Sequence, residues 1–226
     1  MRVLLVAAVA LELTPLLEKF AAPSNSSSRL TRYSYCGHDV DVLFTGVGMV
    51  AASAWCSRVL GEQRYDLAFN VGVCGSFDPA LAPGAVVHVV RDRLAELGAE
   101  DGEEFLSLAE LGLQDQDEWL FAREELVNPA PPRLAALEKL AAVSAITVNT
   151  VHGNERSIEL ALQRFKPQVE TMEGGAFMYA CMIHGVTFAQ IRAVSNVVER
   201  RNRAAWRMPE AIANLGATTL TILESL

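Results

Sequence analysis

Two short segments near the C-terminal end carry polar groups where the chain changes direction: VETMEGGAF at 169–177 and IRAVSN at 191–196. Val169-Glu170-Thr171 reads as a short strand and the apolar spacing from Gly174 to His184 as a helix, so Met172 and Glu173 fall at a strand-to-helix junction. Junctions of that kind line clefts in α/β sheets. Residues 186–194 form the next β-rich run, which puts Ser195 and Asn196 just past its carboxyl end. A carboxylate and a carboxamide therefore converge where a small polar ligand fits. A second carboxylate, Glu12, follows the first apolar run, and residues 3–18 hold no Lys or Arg. A carboxylate without local cations suits activation of water and repels phosphate.

The elements that must position these groups are written in hydrophobic periodicity. Apolar runs at 2–9, 40–45, 66–73, 85–90, 143–149 and 186–194 alternate with helical patterns near 48–62, 131–141, 154–164, 173–184 and 208–225. This alternation predicts an α/β protein, a three-layer α/β/α sandwich around a central sheet. Segment 29–45 predicts a hairpin, with Cys36-Gly37-His38-Asp39 between two β-like runs, so the sheet is mixed. Between 91 and 130 the chain turns acidic and loop-like, ending in Pro129, Pro131 and Pro132, and reads as a surface excursion or a lid. With 226 residues, a single domain over 1–226 is expected.

Composition narrows the partners. A net charge of −8 and a pI near 5.1 leave no broad basic footprint for nucleic acid or an anionic membrane, so a small molecule or a second copy of the chain is expected. MRVLLVAAVALEL has the look of a short signal peptide, but Glu12 interrupts it and it reads better as a buried first strand. No other stretch is apolar enough to span a bilayer, and a cytoplasmic location is expected. Cys36, Cys56, Cys74 and Cys181 form no C-x-x-C pair, so no metal is expected and the thiols read as reduced and mostly buried. The sequon Asn25-Ser26-Ser27 reads as a polar loop.

Two glycine clusters admit more than one reading. Gly46-Val47-Gly48-Met49-Val50-Ala51 matches G-x-G-x-x-A between a strand and a helix, with Asp66 twenty positions beyond Gly46. That is the outline of a dinucleotide site, except that Asp66 precedes its strand and the motif does not follow the first strand of the chain. A plain tight turn is the other alternative. Val71-Gly72-Val73-Cys74-Gly75-Ser76 follows a buried-strand pattern, where small residues let the backbone approach a flat ligand or simply turn.

Taken together and in this order, Glu12, TGVGM at 45–49, NVGVCGS at 70–76, VETMEGGAF and IRAVSN resemble the nucleoside phosphorylase and nucleosidase superfamily over nearly the whole chain. Among its members the resemblance is nearest to the nucleosidases that hydrolyse futalosine. It implies a phosphorylase/hydrolase-like fold, no cofactor, and a homodimer or higher homo-oligomer whose neighbour often completes the pocket. It also implies roles. Glu173 and Met172 would hold the ribose, the first by accepting from two adjacent hydroxyls, the second by packing a thioether on the sugar face. Gly46 and Gly48 would lie close to the ribose and the nucleophile, and Cys74 and Gly75 beside the base. Glu12 would be general base to the nucleophilic water, ordered by Arg192.

Adenine-releasing relatives carry aspartate at the position of Asn196. A 6-oxopurine offers two acceptors on that edge, toward which a carboxamide NH₂ donates, so Asn196 points to hypoxanthine. Asparagine is no general acid, which leaves hydrogen bonding to activate the leaving group. Futalosine has a carboxylated tail, and Glu199 to Arg207 hold Arg200, Arg201, Arg203 and Arg207 with Trp206; Arg201 and Arg203 are the candidates for that carboxylate. Plain structural readings stand beside these: Glu173 as a first-turn helix carboxylate, Arg192 as partner of a structural carboxylate, Asn196 as a cap, the arginines as a solvated face. The functional alternatives are an adenine-releasing nucleosidase acting on methylthioadenosine, adenosylhomocysteine or aminodeoxyfutalosine, a purine nucleoside phosphorylase, and a nucleoside-binding protein without catalysis.

Overall fold

The computed structural model describes residues 1–26, 29–117 and 119–226. Its strands in chain order are β1 (Arg2–Ala7), β2 (Asn25–Ser26), β3 (Leu30–Tyr35), β4 (His38–Phe44), β5 (Leu67–Ser76), β6 (Val86–Leu94), β7 (Gly98–Asp101), β8 (Glu104–Ser107), β9 (Phe121–Ala122), β10 (Glu125–Val127), β11 (Ala141–Thr147), β12 (Val169–Thr171) and β13 (Phe188–Val197). The helices are α1 (Thr14–Leu17), α2 (Met49–Glu62), α3 (Ala135–Glu138), α4 (Glu155–Phe165), α5 (Gly174–His184) and α6 (Met208–Glu224).

Among the described residues one sheet runs β2-β3-β4-β1-β5-β12-β11-β6-β10-β9, with β13 paired to both β5 and β6. β1 lies parallel to β4 and β5, whereas β3 lies antiparallel to β4, which makes the sheet mixed as expected. Buried residues of β1, β4 and β5 pack on one face against Leu13, Leu16, Ala211, Leu215 and Ile222 of the first turns and α6. The opposite face packs against Cys56 and Val59 of α2 and Phe177, Met178 and Cys181 of α5. These are the three layers. Periodicity does not reveal the closure: β5-β12-β11-β6-β13 pairs back onto β5, so half of the sheet curls into a ring.

Several boundaries differ from those expected. The helix foreseen over 131–141 is only Ala135–Glu138, because Ala141 and Ala142 are already paired with Val87 and His88 of β6. Ser195 and Asn196 lie inside β13 rather than beyond it; the register shifts between Val194 and Asn196, a bulge that turns Asn196 while the strand continues to pair with β5. The hairpin between β3 and β4 turns on Cys36 and Gly37, both at positive φ, and His38 already belongs to β4. Segment 91–130 is less loop-like than foreseen: it completes β6, forms the β7–β8 hairpin and returns through β10, which pairs with β6 at Leu126 and Asp92. Asp66 accepts a hydrogen bond from the Arg2 amide at 2.7 Å, at the opposite end of the sheet from Gly46 and Gly48, which removes the dinucleotide alternative. Ser27 of the sequon lies outside the described residues. No helix among them is long and apolar enough to cross a membrane. Cys56, Cys74 and Cys181 are buried and Cys36 exposed, all as free thiols.

Candidate active site

At the carboxyl ends of β1, β5, β12 and β13 lies a cavity of about 280 Å³. Its wall includes Glu12, Cys74, Gly75, Met172, Glu173, Asn196 and Arg201, so seven of the residues expected from the sequence meet at one place. Arg192 lies directly behind it. Gly46 lies off the wall, its amide donating to Ala8, and Arg203 stays outside, stacked over Trp206 at 5.9 Å. Among the described residues none of 91–130 lines the wall, and β10 pairs the end of that segment with β6.

Glu12 owes its position to β1 ending at Ala7 and a 3₁₀ turn, Ala10–Leu13, that folds the carboxylate back over the strand end. Oε2 accepts from the amides of Ala8 and Val9 at 3.0 and 3.1 Å, and Oε1 from the Val73 amide of β5 at 3.1 Å. The residue is only 6% exposed. Burial pushes its pKa above the usual carboxylate value, while the Arg192 guanidinium and the Val9 and Val73 amides hold the rise back.

Arg192 is 1% exposed and sits opposite Gly72 in the parallel register of β13 and β5. Its Nε donates to Gln190 Oε1 at 3.1 Å and its Nη2 to Asn70 Oδ1, whose carboxamide is itself anchored to the Val6 carbonyl at 3.1 Å. Gly72 is where Glu12 and Arg192 meet: a Cβ there would overlap Arg192 Nη1 and stand 2.8 Å from Glu12 Oε1. The glycine is required for close approach, and its φ is not in the left-handed region.

Glu173 precedes α5 without capping it through its side chain. Oε1 instead accepts from the Gly48 amide at 2.9 Å, across the loop that opens α2. Gly48 adopts φ +96, which few L-residues tolerate, and this aims its amide at the carboxylate. The turn reading of the first glycine cluster and its place beside the site both apply, through Gly48.

On the far wall, Asn196 Nδ2 donates to the Val197 carbonyl at 2.9 Å and Oδ1 accepts from Ser195 Oγ at 2.8 Å. A carbonyl only accepts, so the amide orientation is set and one N–H remains for the cavity. Glu170, which sequence reasoning passed over, lines the same wall. It is buried and faces Gly75 across the β12–β5 pairing. A Cβ on Gly75 would lie 3.4 Å from both Asn196 Nδ2 and Glu170 Cγ, so the two side chains are neighbours. His152 hydrogen bonds Glu170 Oε2 through Nδ1 at 2.6 Å and lines the cavity as well. The signal for Glu170 was available: it is a carboxylate in the three-residue strand that leads directly into Met172 and Glu173.

The rim toward solvent holds Arg201, Asn202, Trp206 and Met208, with the Arg201 guanidinium 5.3 Å from the Trp206 ring centroid. Among the described residues Arg201 is the one Lys or Arg on the wall, which three buried carboxylates share. Such a cavity accommodates a neutral or cationic reacting centre, a group of hydroxyls and a flat heterocycle; it opposes an entering phosphate.

Comparisons with known proteins agree with this geometry. The family model described as the phosphorylase superfamily matches residues 2–224. A curated futalosine hydrolase from Streptomyces coelicolor is 33% identical over 225 residues, covering 95% of this chain and 92% of the relative. One from Acidothermus cellulolyticus is 31% identical over 178 residues, covering 77% of this chain and 71% of the relative. A crystal structure of a methylthioadenosine/adenosylhomocysteine nucleosidase from Colwellia psychrerythraea, in complex with adenine, superposes with a TM-score of 0.82 at 20% identity, over 100% of this chain and 96% of that one. With a family model matching residues 2–224 and a relative 33% identical over 95% of its length, this chain belongs to the phosphorylase superfamily.

Proposed function

We propose that the protein hydrolyses the N-glycosidic bond of futalosine, releasing hypoxanthine and dehypoxanthine futalosine as a step of the alternative menaquinone pathway, with no metal or organic cofactor. The observation that carries this reading is the wall shared by Glu12, Glu170 and Glu173 with a single guanidinium, Arg201, at the rim. Cleavage passes through a cationic, oxocarbenium-like ribose, which carboxylates stabilise, and water rather than phosphate suits the negative field. The futalosine hydrolases among the relatives support the substrate.

In this reading Glu173 accepts from the ribose hydroxyls through the oxygen lone pairs left by Gly48, and Met172 packs on the sugar. Glu12 takes a proton from water as the water oxygen bonds to the anomeric carbon. The bond to the purine nitrogen breaks, its electron pair leaves with the base, and solvent supplies the proton that the base gains. Arg192, behind Glu12, keeps that carboxylate aimed.

Asn196 and Glu170 together favour the 6-oxopurine. The free N–H of Asn196 serves an acceptor on the base edge, and the Glu170 carboxylate serves a donor such as the protonated ring nitrogen beside the carbonyl. Adenine presents an unprotonated ring nitrogen there, and a buried acceptor facing an acceptor costs about 1–3 kcal/mol. Arg201, at the rim, is the candidate for the tail carboxylate; Arg203 is not, since it lies off the wall.

The test is chromatography of the protein incubated with equal futalosine and methylthioadenosine in phosphate-free buffer. Hypoxanthine without adenine is expected. Adenine alone would overturn the base reading, and release only after phosphate addition would overturn hydrolysis.

A further inference from the structure

Asp92 lies in β6, fully buried and outside the cavity wall. It nevertheless closes two hydrogen-bond chains that start at opposite sides of the site. The first starts at the N-terminus of α5. Gly174 N donates to Thr171 Oγ1 at 3.1 Å and Gly175 N to Thr147 Oγ1 at 2.7 Å. The two hydroxyls are 3.1 Å apart, and Thr147 donates to Asp92 Oδ1 at 2.8 Å. The second starts at Arg192, whose Nε donates to Gln190 Oε1, while Gln190 Nε2 donates to Asp92 Oδ2 at 3.1 Å. Both chains run donor to acceptor and finish on a group that only accepts.

The first chain explains a peculiarity of Glu173. A carboxylate at the start of a helix ordinarily folds back to accept the unsatisfied N–H groups of the first turn. Here Thr171 and Thr147 satisfy those of Gly174 and Gly175 from beneath, so the Glu173 carboxylate stays turned toward Gly48 and the cavity. The packing leaves no slack: a Cβ on Gly174 would lie 2.7 Å from Asp92 Oδ2, and one on Gly175 3.2 Å from Thr147 Oγ1. The second chain fixes the guanidinium that stands behind Glu12.

We infer that Asp92 is a positioning residue for the reaction, setting the direction of both chains and thereby holding Glu173 and Arg192 in register across the cavity. The inference rests on the nucleosidase reading of the site. Its consequence is directional. An amide at position 92 cannot accept from Thr147 and Gln190 together. Whichever way it turns, it opposes two donors at Gln190 or reverses the hydroxyls under α5. Turning Gln190 over only moves the conflict to Arg192 Nε. Converting Gln190 to a carboxylate as well removes the conflict, because Glu at 190 accepts from both neighbours and the buried charge is restored.

The experiment compares wild type, Asp92→Asn and the double variant Asp92→Asn with Gln190→Glu, measuring kcat and KM for base release and thermal unfolding of each. Misplacement of catalytic groups by about 1 Å costs on the order of a hundredfold, so Asp92→Asn is expected to lose about that factor in kcat with KM changed little. The double variant is expected to recover most of it. If Asp92→Asn does not fold, the double variant carries the test alone: folded and active supports the inference. A folded Asp92→Asn with wild-type kcat overturns it, as does a folded double variant without activity. Wild type that releases no base from any nucleoside would instead overturn the nucleosidase reading on which the inference rests.

Discussion

Gly72→Ala isolates the geometry on which the site depends. Gly72 pairs with Arg192 of β13, and its φ lies outside the left-handed region, so alanine there has no backbone penalty. By itself the loss of a strand glycine stabilises by about 0.5–1 kcal/mol. The new methyl, however, would overlap Arg192 Nη1 and lie 2.8 Å from Glu12 Oε1. Ends of side chains usually yield cheaply, but these two do not. Glu12 is held by three backbone amides and Arg192 by Asn70 and Gln190, and both are buried. Relieving the overlap breaks at least one of these bonds, and overpacking of this kind costs about 1–3 kcal/mol. The net loss of stability is then about 1–2 kcal/mol, too little to unfold an ordinary domain.

Activity is expected to suffer far more. Displacing the Glu12 carboxylate by about 1 Å from the attacking water costs roughly a hundredfold in kcat/KM. Urea unfolding and base release in phosphate-free buffer measure the two effects separately. Gly61→Ala in α2 is the control, since its Cβ meets only His184 Cε1 at an ordinary 3.5 Å and the helix gains about 1 kcal/mol. Gly72→Ala within threefold of wild type would refute the reasoning that Glu12 and Arg192 are pinned over that glycine and that their placement limits the reaction.

Further outcomes follow from the same geometry. Glu12 must be ionised to act as base, and burial raises its pKa; activity is therefore lost as pH falls, from a point above the ordinary glutamate range, and a pH profile of kcat/KM is expected to show that acid limb displaced upward. Asn196→Asp exchanges a donor for an acceptor beside Glu170, so the ratio of 6-oxopurine to adenine nucleoside turnover, measured by competition, is expected to fall at least about tenfold. Arg201→Ala is expected to raise KM for a nucleoside with a carboxylated tail about three- to tenfold and to leave a tail-less nucleoside unchanged, since the side chain is on the exposed rim.

Most of the framework was legible in the sequence because each element buries one face and so writes its period. β5 and β13 are near-continuous apolar runs, and α2, α5 and α6 begin within a residue or so of where spacing puts them. What periodicity cannot carry is pairing. β12 has three residues, too few to show alternation, yet its antiparallel contact with β5 at Val169 and Glu170 closes the ring and places Glu170 beside Gly75. The bulge after Val194 is equally silent, since Val194-Ser195-Asn196 reads as a strand that has ended, whereas pairing to β5 carries β13 on to Val197.

The candidate site divides along the same line. Glu12, Glu173 and Asn196 stand at the ends of elements, where a polar residue interrupts an apolar pattern and so is conspicuous. Asn70, Asp92, Gln190 and Thr147 sit inside strands, and their types alone predict a strand that is solvated on one face. They are buried. Their carboxylate, amides and hydroxyl satisfy one another only once β5, β6, β11 and β13 are folded into the ring, so no local window of sequence reveals the network. The ring places side chains of all four strands in one interior. A buried polar chain there, ending on Asp92, connects the helix behind Glu173 to the guanidinium behind Glu12, and it does so through residues whose only sequence signature is polarity in a strand that ought to be apolar.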